Sequence, residues 1–326
     1  MTVDAGCELR RVAIGLAGCA LGGALAILLA VARGGEEPST PGRVQVWVSD
    51  RDGQALIGLD RDLLVAARVE VPWPTEIEAC EGGGVWAVSA REGDPLGAHD
   101  LLRLLPDGGL GAPIEVGPVI HLATVGVDAL VTEREEDGAT RVRRFAPDGM
   151  ASLVAELPDA LCASGVGERV IVGTARGAVL AFGRGAPAGS QLGGAICDVA
   201  PGPSAGAWWV LERKHGGPGR LLLLDAELRT LWSVSCELEA SHLAPVAGQE
   251  RIWLVDAARP LACRFGPGGV LELACGPLPQ AGLGRAAALD DGGLLVAAPG
   301  ALLHLDARGR LVPGQGGFDF LTDVAR

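Results

Sequence analysis

TEIEACEG (75–82), VWAVSA (85–90), DLLRLLPDG (100–108) and APIEVG (112–117) follow one another as four short apolar segments separated by Gly, Pro and Asp. Segments of about 4–8 residues bounded by turn formers read as antiparallel strands. The second segment recurs as VQVWVSD (44–50), ALVTERE (129–135), RVIVGTA (169–175), AWWVLER (207–213), RIWLVDA (251–257) and LLVAAPG (294–300). Aligned on Trp47, Trp86, Leu130, Ile171, Trp209, Trp253 and Leu295, the seven copies are separated by 39, 44, 41, 38, 44 and 42 residues. The third segment recurs equally often, for example as ALIGLD (55–60), RVRRFAPDG (141–149), LACRFGPGG (261–269) and ALLHLDARG (301–309).

A period of about 40–50 residues carried by short strands is the signature of β-propeller blades. The expected fold is therefore all-β, a seven-bladed β-propeller over residues 44–326. One blade cannot bury both of its faces, so the aligned Trp, Leu and Ile residues are assigned to the core between blades. Residue 44 opens directly on a second strand, whereas GFDFLTDVAR (317–326) resembles a first strand with no second strand after it. This predicts that the C-terminal strand completes the first blade and removes two sheet edges.

Hydrophobic residues make up 48% of the 326-residue chain, and its 50 glycines and 21 prolines suit many tight turns. Asparagine and tyrosine are absent, and Lys214 is the single lysine. A net charge of -13 argues against nucleic-acid binding, which draws on clustered Lys and Arg. It favours cationic small molecules, metal ions or basic partners.

Residues 12–32, VAIGLAGCALGGALAILLAVA, carry no charge over 21 positions, enough to span a bilayer core at about 1.5 Å per residue. Arg10 and Arg11 precede this run and Glu36 and Glu37 follow it, which leaves residues 1–11 as a cytoplasmic n-region. Three fates stay open: a retained signal-anchor helix, a signal peptide cleaved after Ala30-Val31-Ala32, or lipidation at Cys19, where Leu16-Ala17-Gly18-Cys19 resembles the bacterial lipobox. Each places the repeats on the extracytoplasmic side, periplasmic or cell-surface, and the retained helix anchors the protein through residues 12–32 in the inner membrane of a bacterium. Residues 33–43, RGGEEPSTPGR, then form a flexible linker.

In such a blade the first strand lies nearest the axis. Aligning EIEAC, VIHLA, ALCAS, AICDV, ASHLA, RAAAL and FLTDV places Glu78, His121, Cys162, Cys197, His242, Ala287 and Thr322 at one position. Glu78, His121, Cys162, Cys197 and His242 are residue types that ligate metals, so a divalent metal is the one cofactor considered. The residues three beyond each second-strand anchor are Asp50, Ser89, Glu133, Thr174, Glu212, Asp256 and Ala298. They share a face with the starts of the first strands and predict an acidic mouth there. Cys162 and Cys197, on adjacent blades, are candidates for a disulfide in an exported protein. The sequence carries no GxSxG, HExxH or Walker motif, so no catalytic residues are assigned.

VWAVSA with LLRLLPDGG, and RIWLVDA with LACRFGPGG, resemble the NHL-repeat and streptogramin-lyase-like group of propellers over about residues 44–326. These motifs mark the scaffold, and the resemblance implies binding modules, lyases or lactonases alike. The reading preferred here is a membrane-tethered binding or scaffolding propeller that meets a protein, peptide or glycan at a ring face. The alternative is a metal-dependent lactonase- or lyase-like enzyme with its site at the axial mouth. A lactonase-type cage of carboxylate and amide ligands cannot be copied without asparagine. A lyase-like site would draw on His121, His242 and Glu78.

Overall fold

The computed structural model describes residues 44–91, 94, 96–183, 188–214, 218–236, 242–280 and 282–326. The segment assigned to the membrane (12–32), the n-region and the linker lie outside the described residues. No described helix is long and apolar enough to cross a membrane.

Among the described residues, twenty-eight strands form seven four-stranded antiparallel sheets. Blade 2 contains Pro74–Ala79, Val85–Ala90, His99–Leu104 and Ile114–Val116, in the order expected from the four apolar segments between residues 75 and 117. Blade 1 is built from both chain ends: Leu321–Ala325 pairs with Val46–Asp50, which continues into Ala55–Leu59 and Val65–Glu70. Blades 3 to 7 follow in chain order. Their innermost strands are Val119–Val125, Ala160–Val166, Ala195–Pro201, His242–Pro245 and Ala286–Ala288. The innermost strands touch in cyclic order, with Leu321–Ala325 seated between those of blades 7 and 2. The chain is thus the seven-bladed propeller expected from its repeat, closed by its C-terminal strand.

Seven separate apolar clusters fill the seven gaps between adjacent blades. Each anchor residue faces the following blade: Trp86 packs with Leu122 and Val131, Trp209 with Ile252 and Leu254, and Trp253 with Leu294 and Val296. Their indole edges help to set the spacing. Trp86 Nε1 donates to Val127 O at 2.9 Å, and Trp253 Nε1 donates to Gly292 O at 3.1 Å, each in the next blade. Burial of four tryptophans to about 0% exposure makes these interfaces the dominant store of hydrophobic stabilisation.

With no asparagine available, aspartate closes the hairpins. Asp107 Oδ1 accepts the Gly109 N–H at 3.0 Å, and Asp148 Oδ1 accepts the Met150 N–H at 3.0 Å. The intervening Gly108 and Gly149 both sit at φ 87°, a left-handed conformation that a Cβ would strain.

Removal of residues 317–326 strips blade 1 of its innermost strand and exposes Val46, Val48 and Leu295. The truncated protein is expected to lose cooperative thermal unfolding, and an unchanged Tm would contradict this closure.

Candidate functional site

Strand register identifies which side chains are equivalent around the axis. The residue two past each anchor pairs with Glu76, His121, Cys162, Asp198, His242 and Asp323 in blades 2 to 6 and 1. In blade 7, the Ala297 N–H donates to Arg285 O at 3.0 Å, which puts Arg285 at the same level. All seven positions therefore carry a chemically active side chain. Two residues further along each strand lie Glu78, Ala123, Ser164, Ala200, Ala244, Ala287 and Ala325. This second tier is small in every blade except blade 2.

The alignment made from sequence had His121, Cys162 and His242 in register and missed the other four. In five blades one residue of the innermost strand is unpaired immediately before the ring position: Thr75, Ile120, Leu161, Cys197 and Thr322. Such a bulge shifts the face on which every later side chain emerges. Cys197 is itself a bulge residue, so Asp198 takes the axial place beside it. Glu78 belongs to the second tier, with Glu76 in the ring.

Arg285 reaches across the axis. Its Nη1 donates to Leu122 O of blade 3 at 3.2 Å, Nη2 lies 3.4 Å from Glu76 Oε2, and Nη1 lies 3.8 Å from Glu78 Oε1. Three carboxylates of the ring each tie their blade to the next. Asp323 Oδ2 accepts the Ile77 N–H at 2.9 Å, Glu76 Oε2 the Leu122 N–H at 2.7 Å, and Asp198 Oδ2 the Leu243 N–H at 2.9 Å. In each case the donor is the residue just past the ring position of the following blade.

Above this floor is a cavity of about 580 Å³, lined by Glu78, His121, Ser164, Asp198, His242, Arg285 and Asp323 and by the second-tier alanines Ala123, Ala200, Ala287 and Ala325. Its lining continues to Pro201, Ala247, Asp290 and Arg326, and none of it precedes the ring position. The cavity thus extends toward the ends of the innermost strands, away from the face where the sequence reading put the mouth. The side chains expected to make that mouth acidic are buried and bound locally. Asp50 accepts the Phe320 N–H at 2.8 Å, Glu133 accepts the Gly117 N–H at 2.9 Å, Glu212 pairs with Arg220, and Asp256 accepts the Arg259 N–H at 2.9 Å.

The electrostatics follow from having four carboxylates and one guanidinium around the axis. Burial raises the Glu78 carboxyl to about 7, with Asp198 and Glu76 adding repulsion and Arg285 opposing. Burial also pushes Asp323 well above the usual carboxylate range, offset in part by Arg285. For Asp198 the upward push of burial is outweighed by His121, whose Nε2 lies 3.6 Å from Oδ1, and its pKa is lowered. Burial opposes the charge of Arg285, but Glu76, Asp323, Glu78 and Asp198 outweigh it and keep the guanidinium protonated. Both partners of the Glu78–Arg285 pair rise, Glu78 through burial first and Arg285 through the carboxylates gathered around it. Burial, then Arg285, hold the His242 imidazole down at about 4.

The candidate metal ligands are only partly brought together. Glu78, His121 and His242 line the cavity, while the fully buried Cys162 donates from Sγ to Ile196 O at 3.6 Å. Among the described residues, no three His, Cys, Asp or Glu side chains form a group that fits a metal ion. Cys162, Cys197 and the other four described cysteines are free thiols, so the suggested disulfide does not form.

Comparison with solved structures places the fold among known propellers. Streptogramin B lyase superposes with a TM-score of 0.61 at 15% identity, over 80% of this chain and 88% of that one. The chain shares its propeller fold. Apo AztD from Citrobacter koseri gives 0.59 at 14% identity, over 86% and 96% of the two chains. The WD40 propeller domain of Doa1 gives 0.58 at 11% identity, over 76% and 84%. The resemblance to the streptogramin-lyase-like group thus holds at the level of fold. No protein-family profile and no curated protein sequence matches the chain.

Two outcomes follow. Arg285→Leu leaves Glu76 and Asp323 without their cation and is expected to cost about 3–5 kcal/mol in chemical denaturation; an unchanged midpoint would contradict the role given to the guanidinium. The second concerns pH. Glu78 holds its proton up to about 7 in the folded chain, whereas the unfolded chain releases it near 4.5, so its ionisation costs stability as pH rises through that window. Glu78→Gln should match the parent Tm at about pH 4 and exceed it above pH 7, and an offset independent of pH would refute this.

Proposed function

We propose that this protein is a binding propeller that takes a small polar molecule into its one-ended axial cavity. The observation that carries this reading is the contrast between the two tiers. The ring is packed with charged and polar groups, three of them locked to the backbone of the next blade, and the next tier is reduced to Ala and Ser in six of the seven blades, with Glu78 in the other, which opens about 580 Å³ directly above them. A cavity of about 300–1,000 Å³ with a few fixed polar groups is the usual form of a small-molecule site. The binding role is the one expected from sequence, proposed here for a small molecule in the cavity beside the protein, peptide or glycan expected at a ring face. Export to the extracytoplasmic side, with residues 12–32 as the membrane tether, belongs to the same proposal.

Glu78 favours a second reading. A carboxyl poised at about 7 beside an open cavity is suited to general acid–base work, as a lactonase- or lyase-like propeller enzyme requires. The metal dependence considered from sequence enters no step of this reading, because the described donors do not converge on one point.

Ala287 lines the cavity, and Ala287→Phe would fill part of it without disturbing the ring. Protein purified from its host, then denatured and analysed by mass spectrometry, is expected to release a small molecule that the Phe variant lacks. Identical spectra from the two proteins would count against the cavity as the binding site.

A further inference from the structure

We propose that the end of the ring where the cavity opens seats on a bilayer of zwitterionic lipid, which it meets with apolar hairpin tips. This goes beyond the reading of the cavity and shares with it only the tether through residues 12–32, which the test scores separately.

Strand direction sorts the loops. The innermost strands end where the cavity opens, so in each antiparallel blade the turns between strands 1 and 2 and between strands 3 and 4 lie at that end. Among the described residues, every exposed large apolar side chain except Leu96 lies in one of these turns or within three residues of it. Singly exposed apolar residues are ordinary on protein surfaces, but without a cause they would divide between the two ends. Here they follow the repeat. Leu64, Leu110, Met150, Leu231, Val270 and Leu311 occupy the outermost hairpins of six blades, from 41% exposed at Leu110 to 73% at Met150. Leu96 belongs to the loop between strands 2 and 3 of blade 2, at the opposite end.

The place where the chain joins the ring and the charge of the hairpins select the occupant. Val44 and Gln45 lead into Val46–Asp50, the second strand of blade 1, which starts at the cavity end, and Gln45 lines the cavity. Residues 33–43 therefore attach on this side. An eleven-residue coil of their composition spans about 18 Å on average, so a tether through residues 12–32 brings this end to the bilayer first. The hairpin carboxylates are spent locally: Asp107 and Asp148 accept turn N–H groups, while Asp225 and Asp306 pair with Arg229 and Arg310. The apolar tips thus lead. A net charge of -13 opposes an anionic surface, so headgroups of zero net charge are the match. Tips that occupy one repeat position around a ring meet a plane together, and a bilayer interface is such a plane.

The test uses the full chain with phosphatidylcholine vesicles whose acyl chains do or do not carry bromine, a quencher of nearby tryptophan. Met150→Trp and Leu311→Trp report from the hairpins, and Leu96→Trp reports from the opposite end. The fluorescence each hairpin tryptophan adds to the parent is expected to fall about twofold in brominated vesicles, because apolar groups at an interface sink about 5–10 Å toward the acyl boundary. The Leu96→Trp signal should stay constant. Amide exchange of the unsubstituted chain gives a second reading, with residues 107–111 and 148–152 slowed on vesicles. Resistance to alkaline carbonate extraction scores the tether in the same samples. Hairpin quenching in extractable protein supports the docking and contradicts the tether. Resistance without hairpin quenching or slowed exchange supports the tether and overturns the docking, and failure of both readings overturns both. Equal quenching of Leu96→Trp overturns the assignment to one end of the ring. A dimer in sedimentation that Met150→Asp with Leu311→Asp disperses, with the hairpins unquenched, gives this surface to a second copy and overturns the proposal.

Discussion

A single guanidinium holds the middle of this molecule. Arg285 leaves blade 7 and contacts blades 2 and 3 across the axis, through Glu76, Glu78 and the Leu122 carbonyl. Taking a cation and several carboxylates out of water is expensive, and their mutual attraction repays it only when the remaining hydrogen bonds are satisfied. The ring meets that condition through backbone amides: each of Asp323, Glu76 and Asp198 accepts the N–H just past the ring position of the next innermost strand. The same groups therefore join neighbouring blades at three of the seven junctions, on the level that forms the floor of the cavity.

The outer parts of the blades solve a different problem. Between blades, packing is apolar and follows the repeat, with Trp86, Trp209 and Trp253 each wedged against the following sheet. At the axis the repeat gives way to individual residues, since seven strands converge where there is no room for seven large side chains. The second tier relieves the crowding with alanine, and the space so made is the cavity. Placing Glu78 there, where every other blade has Ala or Ser, puts one under-neutralised carboxyl where an incoming molecule would meet it.

The blades and their closure were legible because hydrophobic periodicity and Pro/Asp/Gly turns are local signals. Leu321–Ala325 completing blade 1 followed from counting strands at the two ends. The axial chemistry was legible only in part. His121, Cys162 and His242 emerged in correct register, but the unpaired residue before the ring leaves no mark in hydrophobic pattern. It concealed Asp198 behind Cys197 and Asp323 behind Thr322. Arg285 was missed because RAAAL was aligned on Ala287, two residues further on. The direction of the cavity was hidden for another reason: Asp50, Glu133, Glu212 and Asp256 look like mouth residues until their partners within the blade are known.

The central claim is that charge pairing across the axis couples blades distant in sequence. A double-mutant cycle with Arg285→Leu and Glu76→Leu, read by chemical denaturation, measures this coupling directly. Coupled charges make the two losses fall short of additivity by at least about 1 kcal/mol, as expected for contacting charges in a shared network. Strictly additive losses would mean that the guanidinium and the carboxylate act independently, and the axial ring would then be no more than a coincidence of register.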